Sequence, residues 1–594
     1  MTQNEQRLCE EAYGRLRVWR EGCREMHDRA REARSILLLQ DPRQDAESRS
    51  RRQNKHTLQL QTLKSTFNNC VADQMDNMPE AVMLPEHKAL EGVAEDLTDV
   101  VRSIMMQNGY ESLHRRRVED CFTTGTAVTQ VAWDADMDGG RGNVAVIRWP
   151  IEAFLWDPAA ENIQDARALF KVSWHPMSWF EQHYPEKVRE MGSDEGEFSG
   201  LGMAESQDGM QPADEDRAML IEYWYRLYDA RLRRYTINVA FLAGGVLLEE
   251  SQNVYRHGLY PFVLDVYTPI EGLPVGDGLI QECAPMMRYI NRYASYIDMN
   301  LRMASKGRLL VDRSAGLDRD ALLDWETDVI EGDRIDASAL QWLETKPFTG
   351  MAAQQLLQLQ TDIKQDSGQN QFTRGETAGG VTAASAISAL QEAGGKITRL
   401  RTSVFNQGFK AIVEQVMWLI SQFYDRRRVM FITGREVAAD PERLFGFPHD
   451  GLTLPPPPYT VQVQVQRRNP LRQQAQNELF LEAYAMSTKA GQYFPLSVLF
   501  ELLHVDGKER VLPVLRQMET VPVQMAEMEA QNADLKRLCE EAGGLMGRQR
   551  AGAQAQKEVI ARLEAEREAM QAEMAAMREE LERRKDIEEA GEVE

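Results

Sequence analysis

Few residues in this sequence have the types and spacing that chemistry requires, and each has a plainer reading beside it. The run AGGKIT at 393–398 comes nearest to a phosphate-binding loop, where backbone N–H groups and a lysine cradle phosphates. Leu390 stands where the first glycine of GxxxxGK[ST] belongs, Ile397 follows Lys396, and the stretch falls inside a helical pattern, so a glycine kink explains it better. Asp134, Asp136, Asp138 and Gly139 open like a calcium loop, which clusters carboxylates around a sharp turn. Its twelfth position is Ala145 instead of a bidentate Glu, and its flanks alternate like strands, which favours a hairpin turn. The nine histidines include no HExxH, and His175 and His183 have no third ligand at a recognisable spacing. No GxSxG occurs, and none of the six cysteines (Cys9, Cys23, Cys70, Cys121, Cys283, Cys539) stands beside a histidine in a nucleophile pattern. The cysteines form no CxxC pair, which argues against a zinc module or a disulfide framework and for small buried apolar residues. Trp149, Trp156, Trp174 and Trp179 could stack bases, yet without basic neighbours they read as core packing. No catalytic group, metal site or cofactor is expected.

Charge narrows the field further. The 594-residue chain carries a net charge of −23. Clamping nucleic acid needs a basic face, so the charge argues against tight non-specific DNA binding but not against DNA passing without being held. The charged N-terminus has no signal-peptide core and no run reaches membrane-span length, so a soluble chain made in the cytoplasm, with no membrane partner, is expected. At 43% hydrophobic and 27% charged residues the composition is that of a folded protein, and the length suits several structural units.

The elements are organised around residues 368–424. A polar loop, GQNQFTRGETAGGVTAAS, carries Gly368, Gly375, Gly379 and Gly380 and lacks the apolar side chains to bury itself. Ile387, Leu390, Ile397, Leu400, Val404, Ile412, Val416, Leu419 and Phe423 then recur at three- and four-residue steps. The pattern predicts a helix over 383–424, about 63 Å long, bent at Gly394 and Gly395.

Residues 1–35 read as a solvated helix laced with ion pairs, followed by a basic linker with Arg49, Arg51, Arg52 and Lys55. Helices are predicted over 58–77 and 87–108, and strands over 127–133, 143–149, 220–227, 234–242 and 246–249. A glycine-rich acidic insertion occupies 191–216. A long helix over 279–304, with Pro285 in or breaking its first turns, precedes a compact α/β interruption over 307–350 and a helix over 351–366. A short strand is predicted over 429–433, and strict alternation in VQVQVQ at 461–466 predicts another. Helices over 471–518 come next. A tail heptad seam follows, with Met525, Met528, Leu535, Cys539, Ala542 and Met546 and then Ile560, Leu563, Met570, Met574, Met577 and Leu581. Gly543, Gly544, Gly547 and Gly552 weaken it, as do Asn532 and Arg567 on the seam, and such a helix needs partners.

The element order and several phrases resemble the portal (head-to-tail connector) proteins of tailed bacteriophages, in the larger form typical of short-tailed phages. The matching stretches are FNNCVADQMDNMPEAVMLPE at 67–86, TGTAVTQVAW at 124–133, FLWDPAAENIQDARALF at 154–170, YPFVLDVYTPIEGLPVGDGLIQECAPMMRYINRYASYI at 260–297, and GGVTAASAISALQEAGG before the long helix. The resemblance spans roughly 58–518 and rests on dispersed patterns. It implies an α+β, mainly α portal fold: a β-rich wing (58–275, closed by strands in 426–466), stem helices (276–306 and 351–370), a small α/β clip (307–350), a tunnel loop (371–382), the long kinked helix (383–425), a helical crown (467–520) and a C-terminal coiled-coil or barrel tail (521–594). The charged helix and basic linker (1–57) precede these.

By the same resemblance the chain would form a ring, usually of twelve, at one capsid vertex of the virion, assembled in the host cytoplasm. Double-stranded DNA would pass through it, and terminase large subunit, tail adaptor, capsid and scaffolding proteins would dock on it. The loop residues Gln371, Phe372, Thr373, Arg374, Gly375, Glu376, Thr377, Gly379 and Gly380 would face DNA. Lys396 and Arg399 are candidate channel cations, with solvated surface charge as the equal alternative. Arg308 and Arg313 would line the clip or simply flank its strand. Two rivals stand beside this reading. A packaging enzyme would require a phosphate loop or acidic metal cluster. A coiled-coil scaffold or fibre component would form a dimer or trimer and leaves the loop without a reason.

Overall fold

The computed structural model describes residues 2–40, 58–192, 198, 201, 217–305, 308–313, 340–343, 350–368, 395–424, 428–432, 435–439, 441–445, 457–467, 470–489, 496–503 and 553–591, with scattered positions in 316–333 and 511–537. They fall into two compact units, Met1–Met430 with Val437–Gln466, and Phe431–Glu436 with Arg467–Glu594. The fold is α+β and mainly α, with small sheets.

The first unit opens with α1 (Gln3–Leu37), started by a capping box between Thr2 and Glu5. This helix is not the solvated rod expected. Cys9, Tyr13, Leu16, Cys23, Met26, Ala30, Ala33 and Ile36 recur at three- and four-residue steps and are buried. The Glu and Arg residues that dominate its composition hold the other face, as in the Glu11–Arg15 pair. An apolar stripe diluted by charge is still a core face.

Helix α2 (Thr62–Met75) ends before strand β1 (Asn77–Pro85), which the predicted helix over 58–77 overlapped. Helices α3 (Glu91–Gln107) and α4 (Tyr110–Thr124) follow, the second unforeseen. Strands β2 (Thr126–Asp134) and β3 (Asn143–Trp149) lie where alternation predicted them. Strand β4 (Phe154–Trp156) joins β5 (Ala168–Pro176), β6 (Arg217–Asp229), β7 (Arg234–Ala243) and β8 (Val246–Ser251) in an antiparallel five-stranded meander. Strand β9 (Phe262–Val266) returns to β2, giving the order β3-β2-β9. Short β10 (Thr268–Pro269) and β11 (Gly276–Asp277) pair ahead of α5 (Leu279–Ser305), which runs unbroken through Pro285.

Helix α5 leaves the body as it proceeds. Leu279, Ile280, Cys283, Met287, Ile290 and Ala294 are buried, and from Ser295 onward no residue is. Strands β12 (Arg308–Val311) and β13 (Leu340–Leu343) form an antiparallel ladder beyond it, and α6 (Gly350–Asp366) packs back along α5, burying Leu359 and Ile363. Most of the α/β interruption expected over 307–350 lies outside the described residues. Helix α7 (Lys396–Phe423) then crosses the body, strands β14 (Arg428–Ile432) and β15 (Arg435–Ala439) pair, and β16 (Tyr459–Arg467) pairs with β1. That last pairing brings the strand predicted in VQVQVQ to the strand at 77–85, about 380 positions earlier in the chain. In the second unit α8 (Pro470–Lys489) packs on α9 (Leu496–Leu502), and α10 (Ala553–Gly591) carries the second half of the expected tail seam, whose first-half residues from Met525 to Met546 lie outside the described residues.

The body closes on a fully buried ion pair. Arg117 of α4 donates through Nε and Nη2 to the two carboxylate oxygens of Asp265 on β9, at 2.9 and 2.8 Å, and through Nη1 to the Tyr110 hydroxyl. Both side chains of the pair are 0% exposed. Helix α7 lands on this pair at Gly408, where an added Cβ would lie 1.7 Å from Asp265 Oδ1. The Gly408→Ala variant must therefore part the helix from the carboxylate or break the fork. Removing one side of such a pair costs about 3–5 kcal/mol, and a comparable loss in denaturant unfolding is expected for Gly408→Ala.

Acid should also weaken the body. Burial and the neighbouring Arg117 push the His114 imidazole down to about 3, and burial with Arg234 pushes His257 down to about 4. A histidine held neutral in the fold takes up its proton on unfolding near its ordinary value of 6.5. Stability is thus full above that pH and falls below it, by about 1.4 kcal/mol per pH unit for His114, with a smaller, screened share from the partly exposed His257. Thermal melts between pH 7 and 5 should show this fall, and His114→Phe should flatten it.

Candidate functional site

Residues 371–382, the loop expected to face a channel, lie outside the described residues, and so do Gly394 and the helix start expected at 383. The structure describes the place where that segment leaves the body and returns to it. Helix α6 ends at Asp366, Ser367 is fully buried, and Gly368 follows in the left-handed region at φ 77°. The Gly368 N–H donates to Gln365 O at 2.9 Å and the Ser367 N–H to Ile363 O at 3.0 Å. A glycine of this conformation ends a helix and turns the chain aside. On the returning side Gly395 is the N-cap of α7, with φ −79° and ψ 7°, and Lys396 opens the described helix. Leaving and returning strands touch: a Cβ on Gly368 would meet Ile397 Cγ2 at 3.0 Å.

The neck between them is fastened by Arg401. Its Nη1 donates to Ser367 O at 2.9 Å and to Cys70 Sγ at 3.4 Å, and its Nε donates to the Tyr267 hydroxyl at 3.0 Å. The guanidinium carbon lies 5.6 Å from the Phe122 ring centre and 5.5 Å from that of Tyr267. One residue on, the Thr402 hydroxyl bonds Gln74 Oε1 at 3.0 Å, tying α7 to α2. Arg401 and Thr402 are buried, with Phe405, Gly408, Phe409 and Ile412 on the same face.

This shifts the apolar face from the one expected. Leu400, placed on the buried stripe from sequence, is 69% exposed, and Ile397 is 39% exposed. The signal that could have found Arg401 is its four-residue step to Phe405 and the three-residue step from there to Gly408, which sets a cation on a core face. Lys396 and Arg399 lie exposed in the first turn of α7. Arg308 pairs with Leu343 in the β12–β13 ladder, and Arg313 is exposed just beyond it.

The other candidates resolve into packing. Asp134 Oδ1 accepts the Asp136 N–H at 2.9 Å, and Asp138 and Gly139 take left-handed conformations in a tight turn between β2 and β3. Among the described residues no group of three or more His, Cys, Asp or Glu side chains could hold a metal ion. Trp156 is buried, and Trp149 does have a basic neighbour: Lys171 Nζ sits 3.9 Å from its ring centre and 2.5 Å from Glu222. His175 and His183 both stack on Trp179. Cys9, Cys23, Cys70, Cys121 and Cys283 are buried, and burial pushes the Cys23 and Cys283 thiols up to about 12 and about 11. No described helix is long and apolar enough to cross a membrane.

A family model described as "Phage P22-like portal protein" matches residues 6–580, which puts the chain among the structural components of bacteriophage virions. The chain belongs to the phage P22-like portal protein family. It is a head-to-tail connector of the DNA-packaging machinery, from a family of structural proteins at the capsid vertex and not of enzymes. No curated protein matches the chain.

Gly368→Ala places a side chain both in left-handed backbone, at about 1–2 kcal/mol, and against Ile397. A lowered melting midpoint is expected. Adding Ile397→Ala should recover the steric part and leave the backbone part, which a double-mutant cycle would separate.

Proposed function

We propose that copies of this chain assemble into a ring at one capsid vertex, twelve being the number the resemblance implies, and that double-stranded DNA passes through its centre during packaging and ejection. Membership of the portal family carries this reading. Physical features agree with it. Where α5 and α6 leave the body they keep large apolar side chains in solvent: Tyr289, Tyr296, Leu301 and Met303 on α5, Met351 and Leu357 on α6. Projecting helices of this kind need neighbours, and copies of the same chain supply them by symmetry. The α10 stripe of Ile560, Leu563, Arg567, Met570, Met574 and Met577 is half-buried throughout, as a seam awaiting partner helices would be.

In this reading residues 371–382 are the tunnel loop, with Arg374, Lys396 and Arg399 as the few cations near DNA. A strongly acidic subunit with a polar loop repels phosphate more than it grips it, which suits a conduit. The β12–β13 ladder, with Arg308 and Arg313, belongs to the clip that meets the terminase large subunit and later the tail adaptor. The body is the wing, facing capsid and scaffolding proteins, and the second unit carries crown and barrel.

Native mass measurement with negative-stain imaging should find a large closed ring, and a stable monomer under assembly conditions would end the proposal. Deleting residues 371–382 is expected to leave the ring intact and to impair DNA packaging or retention. Normal DNA filling by that deletion would remove the loop from the channel.

A further inference from the structure

A buried guanidinium ordinarily faces a carboxylate, because an unpaired charge in a protein interior is expensive. Arg401 does not. It is 5% exposed, and its described partners are a carbonyl, a hydroxyl, a thiol and two aromatic faces, with no ion pair among the described residues. Compensation comes from the end of α6. The last carbonyls of a helix have no partner within it and together present roughly half a negative charge. Ser367 O is at that end, and Arg401 Nη1 caps it at 2.9 Å. The Phe122 and Tyr267 rings add the negative faces of their π systems.

We propose that Arg401 is the positioning residue of the neck, a clasp that holds the end of α6 against the start of α7 and so fixes the two points from which residues 369–394 must span. The charge makes the clasp conditional. Moving Ser367 away would strip the guanidinium of the helix end that makes its burial tolerable, so the open neck is penalised by an unpaired buried cation and the closed neck is not. The fork explains the residue type. Nε and Nη1 reach Tyr267 and Ser367 in different directions at fixed angles, which a lysine ammonium on a flexible stem does not reproduce. Gly368 completes the device, since only a residue without a side chain turns out of α6 while Ile397 lies against it. For its bearing on DNA this inference rests on the channel reading; for the neck itself it does not.

The test measures the neck directly. Spin labels on Gln365→Cys and Arg399→Cys, both exposed sites, report the α6–α7 distance in protein assembled with a small fraction of labelled subunits. The buried native thiols spare themselves, and Cys539→Ser removes the one outside the described residues. With Arg401 present a single narrow distance distribution is expected. Arg401→Met should widen it and shift it to longer distance, Arg401→Lys should do so despite keeping the charge, and Tyr267→Phe should give a smaller change. If the Met variant fails to fold, the Lys and Phe variants carry the test. Folded Arg401→Lys and Tyr267→Phe proteins with the native distribution, whatever their melting midpoints, would overturn the clasp. An opened neck in particles that fill with DNA normally would leave the clasp standing and count against the channel reading.

Discussion

The body depends on keeping one ion pair dry. Arg117 and Asp265 are both fully removed from solvent, and neither could be tolerated there without the other. Their pairing holds α4 to β9, Tyr110 supplies a third contact, and α7 comes close enough to seal the site only because residue 408 has no side chain. Arg401 lies seven positions earlier on the same face, about two turns along the helix. Seating α7 on the ion pair therefore also delivers Arg401 to the end of α6. Body and neck are positioned by one rigid rod.

From that rod outward the chemistry changes character. Inside, among the described residues, charges find partners: Lys171 with Glu222, the partly buried Arg148 with Asp120, and Arg401 with a helix end and two rings. Along the outer parts of α5 and α6 apolar side chains stand in solvent, and on α10 a heptad seam is half-covered. The described chain thus pairs its principal buried charges by itself while leaving helix faces that other copies would cover. That division fits a subunit of an assembly.

Much of the architecture was readable from side-chain order. The strands of the body alternate, so their two faces announce themselves, and β2, β3, β6, β7, β8 and β16 appear close to the predicted positions. Helices α5 and α6 did too, because their apolar steps are long and regular. Helix α1 was misjudged since its stripe of Cys, Ala and Met is small and outnumbered by charge. β1 and α4 were missed for related reasons: one follows a helix without a break, and α4 packs Arg117, His114 and Asp120 inward where apolar residues would be looked for.

What the sequence settled alone was fold class, an acidic, mainly helical chain with alternating strands, because composition and periodicity are local properties carried in the string itself; its likeness to phage portals was a resemblance of phrases and element order. What only the tertiary structure decided was which charges are inside. The spacing of Arg401 to Phe405 and Gly408 sets it on a core face, but nothing along the chain shows what would meet its charge there, and the same is true of Arg117. Burial depends on what arrives from elsewhere, here a carboxylate 148 positions away and a helix end 34 positions away, and those meetings exist only once the chain has folded.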